Sequence, residues 1–339
     1  MKRKFFALLA VIALLMGLTA GCVSQPTEPA TLSLQTEPPQ ITTTPPVTTL
    51  PPETEPPFPP PAFELLSSHA FVYDLQKDSM LFVTGDPEEK VAPASLTKLF
   101  TAYAAMRYLE PDQVLTAGDE VDWIDPDSSR AFIYNGQQVT ADMCVEGMIL
   151  NSGNDAAYIL AVAAGRAILN EPNLAPHAAF SSFVGEMNVQ VLNQGLTGTH
   201  FANPDGIDSP GHYTTMNDLV LISKLAMEND TISKYAAMAT DNVTYASGQS
   251  VKWQNTNLLL HPNSGYYCEY ATGLKTGSTD DAGSCLLSTF HTEDRDLLIC
   301  VLGSPQDTDR YRDTLQLFSH YTGIPVTLPE ETPNQSTNG

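Results

Sequence analysis

Between residues 63 and 325, the spacing of apolar residues predicts which segments are strands and which are helices. Short apolar runs at residues 70–74 and 80–83 flank a polar turn and predict an opening β-hairpin. Strands from both ends of the chain, with helices between them, predict an α/β (α+β) fold in which one sheet carries a helical insertion. The other predicted strands are residues 273–277, 284–290 and 297–302, and the predicted helices are residues 96–109, 140–150, 155–168, 180–192, 216–227 and 310–320.

The two ends of the chain do not follow these patterns. Residues 1–21 combine a basic start, an apolar run and small residues, which is the layout of an export signal. Residues 23–62 are rich in Pro, Thr and Glu and predict a disordered linker that could reach roughly 100 Å in an extended form. Residues 326–339 predict a disordered tail, which leaves residues 63–325 as the folded domain.

Cys22 follows the segment Leu-Thr-Ala-Gly and occupies the place of the lipid-modified cysteine in bacterial lipoproteins. This position predicts a membrane-tethered protein outside the cytoplasm, with the linker as a spacer. Thr19 departs from the usual leucine of that segment, so cleavage near Ala20 and free secretion to the cell wall remain the alternative. For the linker itself, recognition of its proline-rich sequence by a partner domain is the alternative to a spacer.

Charge and cysteine content exclude several classes of function. The net charge of −23 argues against binding to nucleic acid or to anionic lipid by electrostatics. The seven histidines and the cysteines show no metal-ligand spacing, so no metal or cofactor is expected. Cys285 and Cys300 flank a predicted turn and could approach each other, but buried free thiols are the simpler expectation.

The first candidate motif is Ser95-Leu-Thr-Lys98. A serine three residues before a lysine on a helix places both side chains on one face. Serine is a weak nucleophile until a base takes its proton, and burial would lower the pKa of Lys98 enough for that role. An ordinary surface Ser and Lys are the alternative.

Two further motifs could complete a catalytic site. Ser152-Gly-Asn154 interrupts two predicted helices, where Ser152 could pass a proton to a leaving group and Asn154 could hold a carbonyl, although both are also good helix caps. On a predicted strand, Lys275 and Thr276 could bind a carboxylate and Gly277 could admit a peptide backbone. A strand end with a glycine bulge is the alternative for that segment.

The order Ser-x-x-Lys, Ser-x-Asn, Lys-Thr-Gly resembles the signature of penicillin-recognising serine enzymes. From about Phe71 to Ile324, this sequence is similar to the low-molecular-mass D-alanyl-D-alanine carboxypeptidases, and the segment Phe201-Ala-Asn-Pro-Asp-Gly206 supports the resemblance. The implied fold is that of β-lactamases and DD-peptidases: an antiparallel sheet flanked by helices, with a helical subdomain.

The resemblance also implies a set of roles. Ser95 would attack the bond between the terminal D-alanines of peptidoglycan stem peptides, with Lys98 as base and the N–H groups of Ser95 and Ser278 around the oxyanion. Arg310 would help to hold the terminal carboxylate, although Arg312 stands two residues away. The expected partners are the stem peptide, β-lactam antibiotics as covalent inhibitors, and the membrane through the lipid on Cys22.

Two other functions compete with this hypothesis. A class A β-lactamase shares the motifs but needs a Glu-x-x-Leu-Asn element, and at Glu171-Pro-Asn-Leu174 the following residue is Ala175. A non-catalytic protein that binds the wall or senses penicillin would require a dead site, whereas the motif residues are intact. Some transpeptidase activity, with an amine in place of water, stays open.

Overall fold

The structure, a computed structural model, describes residues 58–329. The predicted signal at residues 1–21 and the predicted lipid site at Cys22 lie outside the described residues. The same holds for residues 23–57 of the predicted linker and residues 330–339 of the predicted tail.

The main sheet has five strands in the order β2-β1-β9-β8-β7, and each neighbouring pair is antiparallel. Strand β1 from the start of the domain pairs with β9 from its end, as Ala70 opposite Val301 shows. The sheet is therefore built from both ends of the chain, as the sequence predicts. The strands are β1 (His69–Asp74), β2 (Ser79–Thr84), β3 (Val114–Thr116), β4 (Gln138–Thr140), β5 (Thr240–Thr244), β6 (Ser250–Gln254), β7 (Ala271–Thr279), β8 (Gly283–His291) and β9 (Asp296–Ser304).

Six of the seven described α-helices lie between β2 and β7 in the chain, and the last follows β9. The helices are α1 (Thr97–Ala105), α2 (Ala141–Leu150), α3 (Asn154–Leu169), α4 (Pro176–Asn193), α5 (Met216–Glu228), α6 (Asp230–Ala236) and α7 (Asp309–Thr322). Three short 3₁₀ helices complete the described set: Ala94–Leu96, Asp119–Asp122 and Leu258–Leu260. Among residues 58–329, no helix is both long enough and apolar enough to cross a bilayer.

Both faces of the main sheet are buried, because side chains of a strand alternate between its two faces. One face, with Val72 and Ile299, packs on Phe318 and its neighbours in α7. The opposite face, with Phe71 and Leu298, belongs to a second core shared with the helical insertion. The predicted fold, an antiparallel sheet flanked by helices with a helical insertion, is confirmed.

Residues just outside the predicted domain limits also pack on the domain. Phe58 lies edge-on to Tyr321, with ring centroids 5.4 Å apart, and the carbonyl of Pro59 accepts a hydrogen bond from His320. Val326 and Leu328 pack against the core beneath α7. Apolar contacts of the domain therefore reach into the last residues of the predicted linker and the first residues of the predicted tail.

The helix predicted at residues 96–109 is shorter in the structure. A 3₁₀ turn at Ala94–Leu96 precedes it, and α1 ends at Ala105. The pattern also missed α6, which has only seven residues and buries Ile232, Tyr235 and Ala236. So short a helix is stabilised by tertiary packing more than by its own sequence. The same holds for the two-stranded sheets β3–β4 and β5–β6, which the pattern also missed.

Candidate active site

Ser95 lies in the 3₁₀ turn that leads directly into α1, and Lys98 lies in the first turn of that helix. The Lys98 Nζ donates a hydrogen bond of 2.7 Å to Ser95 Oγ and one of 2.6 Å to the carbonyl oxygen of Asp205. Lys98 has no exposed surface. Burial lowers the pKa of Lys98 to about 8, although the carboxylates of Asp205 and Asp155 oppose that shift. A neutral lysine amine at 2.7 Å can take the proton of a serine hydroxyl.

Two glycines allow other segments to approach the backbone of the Ser95 turn. A Cβ on Gly206 would lie 1.9 Å from the carbonyl oxygen of Ala94, and a Cβ on Gly277 would lie 3.0 Å from the Ser95 nitrogen. Ala94 itself has φ of 48°, in the left-handed region that a residue with a Cβ rarely adopts. The turn is therefore held in a strained geometry by close contact with β7 on one side and the 201–206 loop on the other.

Ser152 lies in the break between α2 and α3, Asn154 is the first residue of α3, and both side chains are buried. The alternative that they act as helix caps is wrong, because Gly153 is the N-cap of α3 and no side chain caps that end. Ser152 has φ of 55°, a second strained residue at the site. The Asn154 N–H donates to the Ser129 carbonyl oxygen, so the break is fixed to a neighbouring loop.

Asp155 holds that neighbouring loop against the helix break. Its carboxylate accepts hydrogen bonds from the N–H groups of Ala131, at 2.7 Å, and Ile133, at 2.9 Å. Burial raises the pKa of Asp155, and these backbone donors oppose the shift. Sequence reasoning missed this residue because its partners lie more than 20 positions earlier in the chain.

Lys275, Thr276 and Gly277 lie on β7, which is the edge strand of the described sheet. An edge strand carries backbone groups that can pair with an extended peptide. Lys275 is fully buried, and its Nζ donates to the Thr276 carbonyl oxygen at 3.1 Å. Burial lowers the pKa of Lys275 well below the ordinary lysine value, and the charges of Lys98 and Arg310 add to that shift.

Arg310 reaches β7 from the start of α7. Its guanidinium donates to the Gly277 carbonyl oxygen at 3.0 Å and to Ser278 Oγ at 3.1 Å. It also pairs with Asp307 at 2.5 Å. Lys98, Lys275 and Arg310 thus place three basic side chains around one strand in a chain of net charge −23.

The 201–212 segment positions Lys98, a role that the sequence did not suggest. Asn203 Oδ1 accepts from the Gly206 N–H at 2.8 Å, and its Nδ2 donates to the Ile207 carbonyl oxygen at 2.7 Å, which fixes the turn carrying the Asp205 carbonyl. His212 links Thr97 Oγ1, at 2.8 Å, to the Ala202 N–H, at 3.0 Å. The Asn-Pro-Asp-Gly sequence predicts a turn at residues 203–206. Its contact with Lys98 joins residues far apart in the chain, so the sequence does not predict it.

Glu171 is the residue whose sequence context comes nearest to the Glu-x-x-Leu-Asn element of class A β-lactamases. In the structure it lies far from Ser95. It follows the C-terminal end of α3, and its N–H bonds the Arg166 carbonyl oxygen. Asn154 begins that helix, and 16 residues at about 1.5 Å each place its two ends roughly 22 Å apart. Glu171 therefore cannot activate a water molecule beside Ser95.

The four cysteines of the described chain are buried and free, including Cys285 and Cys300. Within residues 58–329, no group of three or more His, Cys, Asp or Glu side chains is arranged to hold a metal ion.

Comparison with known proteins adds to this geometry. A family model for D-alanyl-D-alanine carboxypeptidases matches residues 54–306. The chain is 31% identical to carboxypeptidase DacC of Escherichia coli over 247 residues, which cover 69% of this chain and 56% of DacC. It is 33% identical to a D-alanyl-D-alanine carboxypeptidase of a Streptomyces strain over 197 residues, which cover 57% of this chain and 64% of the relative. The chain thus spans less than two thirds of the length of either relative.

A crystal structure of a Streptomyces DD-transpeptidase superposes on 77% of this chain and 99% of its own, with a TM-score of 0.69 and 27% identity. Penicillin-binding protein 5 of Haemophilus influenzae covers the same share of this chain, with a TM-score of 0.63 and 26% identity. The resemblance drawn from the three motifs is confirmed. The chain belongs to the D-alanyl-D-alanine carboxypeptidase family.

Proposed function

We propose that this protein is a serine-type D-Ala-D-Ala carboxypeptidase that removes the terminal D-alanine from peptidoglycan stem peptides. The observation that carries the proposal is the buried Lys98 amine, 2.7 Å from Ser95 Oγ, with a pKa lowered to about 8. An activated serine beside the free edge of β7 fits an extended peptide as substrate.

In the first step, Lys98 takes the Ser95 proton and Ser95 Oγ attacks the carbonyl carbon between the two D-alanines. The N–H groups of Ser95 and Ser278 stabilise the oxyanion, because β7 passes the Ser95 nitrogen at Gly277. The C–N bond then breaks, Ser152 passes a proton to the departing amine, and an ester to Ser95 remains. Water hydrolyses the ester and returns the proton to Ser95.

Recognition of the substrate rests on β7 and the side chains around it. Lys275 and Thr276 bind the terminal carboxylate, and Asn154 holds the carbonyl of the preceding residue. Arg310 helps to hold that carboxylate indirectly, since its guanidinium is bound to the Gly277 carbonyl and the Ser278 hydroxyl of β7.

β-Lactams acylate the same serine and act as covalent inhibitors. We expect the penicillin ester to persist because Glu171, which would correspond to the β-lactamase glutamate, lies beyond the far end of α3. Slow deacylation separates this proposal from the β-lactamase alternative.

The location of the protein is a proposal from sequence alone. Export by residues 1–21 and lipidation of Cys22 would anchor the chain to the outer face of the cytoplasmic membrane, with residues 23–57 as a spacer. Stem peptides lie in that compartment, which supports this location.

Intact-protein mass after incubation with benzylpenicillin tests the function, with Ser95→Ala as the test variant and Ser181→Ala, a helix serine on α4, as the control. We expect a lasting adduct of one penicillin on the wild type and on Ser181→Ala, and none on Ser95→Ala. Release of D-alanine from a D-Ala-D-Ala peptide should follow the same pattern. Rapid destruction of penicillin without an adduct would indicate a β-lactamase, and intact drug without an adduct would indicate a non-catalytic protein.

A further inference from the structure

A cavity of about 400 Å³ lies along α3, between that helix and strand β3. One wall is a stripe on a single face of α3, where Ile159, Val162, Ala163 and Ala167 follow the helical spacing of three and four residues. From its first to its last residue this stripe runs roughly 12 Å along the helix axis. None of the described lining residues belongs to the three catalytic motifs, so the cavity is separate from the proposed active site.

Glu120 brings a buried carboxylate to this cavity. The residue lies in the 3₁₀ helix Asp119–Asp122, lines the cavity and is only 2% exposed. Its Oε1 accepts a hydrogen bond of 2.8 Å from the Gly118 N–H, whereas its Oε2 has no hydrogen-bond partner within residues 58–329. Gly118 permits this arrangement, because a Cβ there would lie 2.5 Å from Oε2. A buried carboxylate oxygen without a partner is costly, and a cationic donor from outside the chain would remove that cost.

Arg166 brings a positive charge to the same cavity. It lies on the lining face of α3, two turns after Ile159, and its Nε donates to the Leu174 carbonyl oxygen at 3.1 Å, which fixes the guanidinium in place. The neutral amide side chains of Gln113 and Asn170 also line the cavity. The cavity thus combines one anionic and one cationic side chain with a largely apolar wall between strand and helix.

We propose that this cavity binds an aliphatic zwitterion of the lysine type, with its ammonium group against Glu120 and its carboxylate against Arg166. The alkyl chain between the two charges packs on the apolar stripe of α3. The volume lies within the range of small-molecule sites, and both charged contacts are of the strong, charge-assisted kind. A ligand with one charge would leave the opposite side chain of the cavity unmatched. Free ω-amino acids and lysine residues at the carboxyl end of a peptide share this chemistry.

Calorimetric titration of the full chain with three lysine derivatives tests the charge requirement. Nα-acetyl-lysine carries both charges, its amide lacks the carboxylate, and Nα,Nε-diacetyl-lysine lacks the ammonium group. We expect the first to bind at least about tenfold more tightly than either of the others, as for loss of a charged hydrogen bond. Titration with 6-aminohexanoate separates the two sources: equal affinity indicates a free ω-amino acid, and weaker binding indicates a peptide end.

Variants of the two charged residues locate the ligand. Glu120→Gln should weaken binding of Nα-acetyl-lysine by about tenfold or more. Glu228→Gln removes an equal charge from the exposed end of α5 and, as the matched control, should leave the affinity unchanged. Arg166→Gln should weaken binding of Nα-acetyl-lysine but not of its amide. An equal loss on both ligands would mean that Arg166 only supports the fold and would overturn its assignment.

A third variant tests the cavity without altering either charge. Ala163→Leu fills the space beside α3 and should abolish binding, even if Glu120→Gln does not fold. The proposal would be refuted by wild-type protein that binds none of the ligands at millimolar concentration, or binds all three equally. Prior acylation of Ser95 with benzylpenicillin should leave the affinity unchanged, and loss of binding would place the ligand in the active site instead. Because calorimetry requires no turnover, failure of the proposed function is a separate result.

Discussion

The pH dependence of acylation tests the role of Lys98 most directly. With a pKa of about 8, roughly one tenth of Lys98 side chains are neutral at pH 7 and half at pH 8, against about one in 3,000 at pH 7 for a lysine of ordinary pKa. If neutral Lys98 is the base, the second-order rate constant for acylation by a fluorescent penicillin should rise about fivefold from pH 7 to pH 8, nearly double again by about pH 9, and then level off. Gel fluorescence after timed quenching measures that rate constant.

A second variant moves the midpoint in a known direction. The carboxylate of Asp205 raises the pKa of Lys98, so Asp205→Asn should shift the midpoint of the profile to lower pH while the backbone carbonyl that binds Lys98 stays in place. Asp208→Asn is the control, because Asp208 bonds Thr279 and Asp281 and is not among the charges that act on Lys98. A flat profile, or a midpoint near the ordinary lysine pKa, would refute the assignment of Lys98 as the base.

Three further outcomes follow from the structure. Gly206→Ala should lower the penicillin acylation rate severely, because the added Cβ would overlap the Ala94 carbonyl oxygen. Gly211→Ala is the control and should acylate normally, because Gly211 has a similar positive φ but an added Cβ there would have no atom nearer than 3.8 Å. Equal acylation rates in the two variants would contradict the argument that the 201–206 loop must approach Ala94 closely. Burial raises the pKa of Glu146 to about 8, which is above its value in the unfolded chain. The wild type should therefore lose on the order of a few kcal/mol of unfolding free energy as pH rises from about 4.5 to 8. Urea titrations at pH 5 and pH 8 measure this change, and Glu146→Gln should lose much less. Cys22→Ala should move the protein from the membrane fraction to the soluble fraction, and retention in the membrane fraction would refute the lipid anchor.

The motifs could be identified from sequence because each combines local rules. Ser95 and Lys98 had to share a helix face through their spacing, and the break at residues 151–154 was visible between two apolar helices. Gly277 could be recognised as a place where a backbone approaches closely. Helices α2 and α5 also followed their apolar periodicity to within one residue, because a buried helical stripe repeats along the chain itself.

The partners of those motifs were decided by tertiary structure. The Asp205 carbonyl lies 107 positions from Lys98, and the Asp155 carboxylate binds a loop more than 20 positions away. A backbone carbonyl is present at every residue, so no sequence pattern marks the one that orients a lysine.

By itself, the sequence indicated the family, the order of the main strands and long helices, and the candidate nucleophile and strand on which the proposed function rests. Only the tertiary structure decided that Lys98 is buried enough to act as a base and that Arg310 reaches β7. The physical reason is the same in each case. Burial, charge pairing and cavity shape depend on which distant segments pack together, whereas helical faces and strand edges are set by neighbours along the chain.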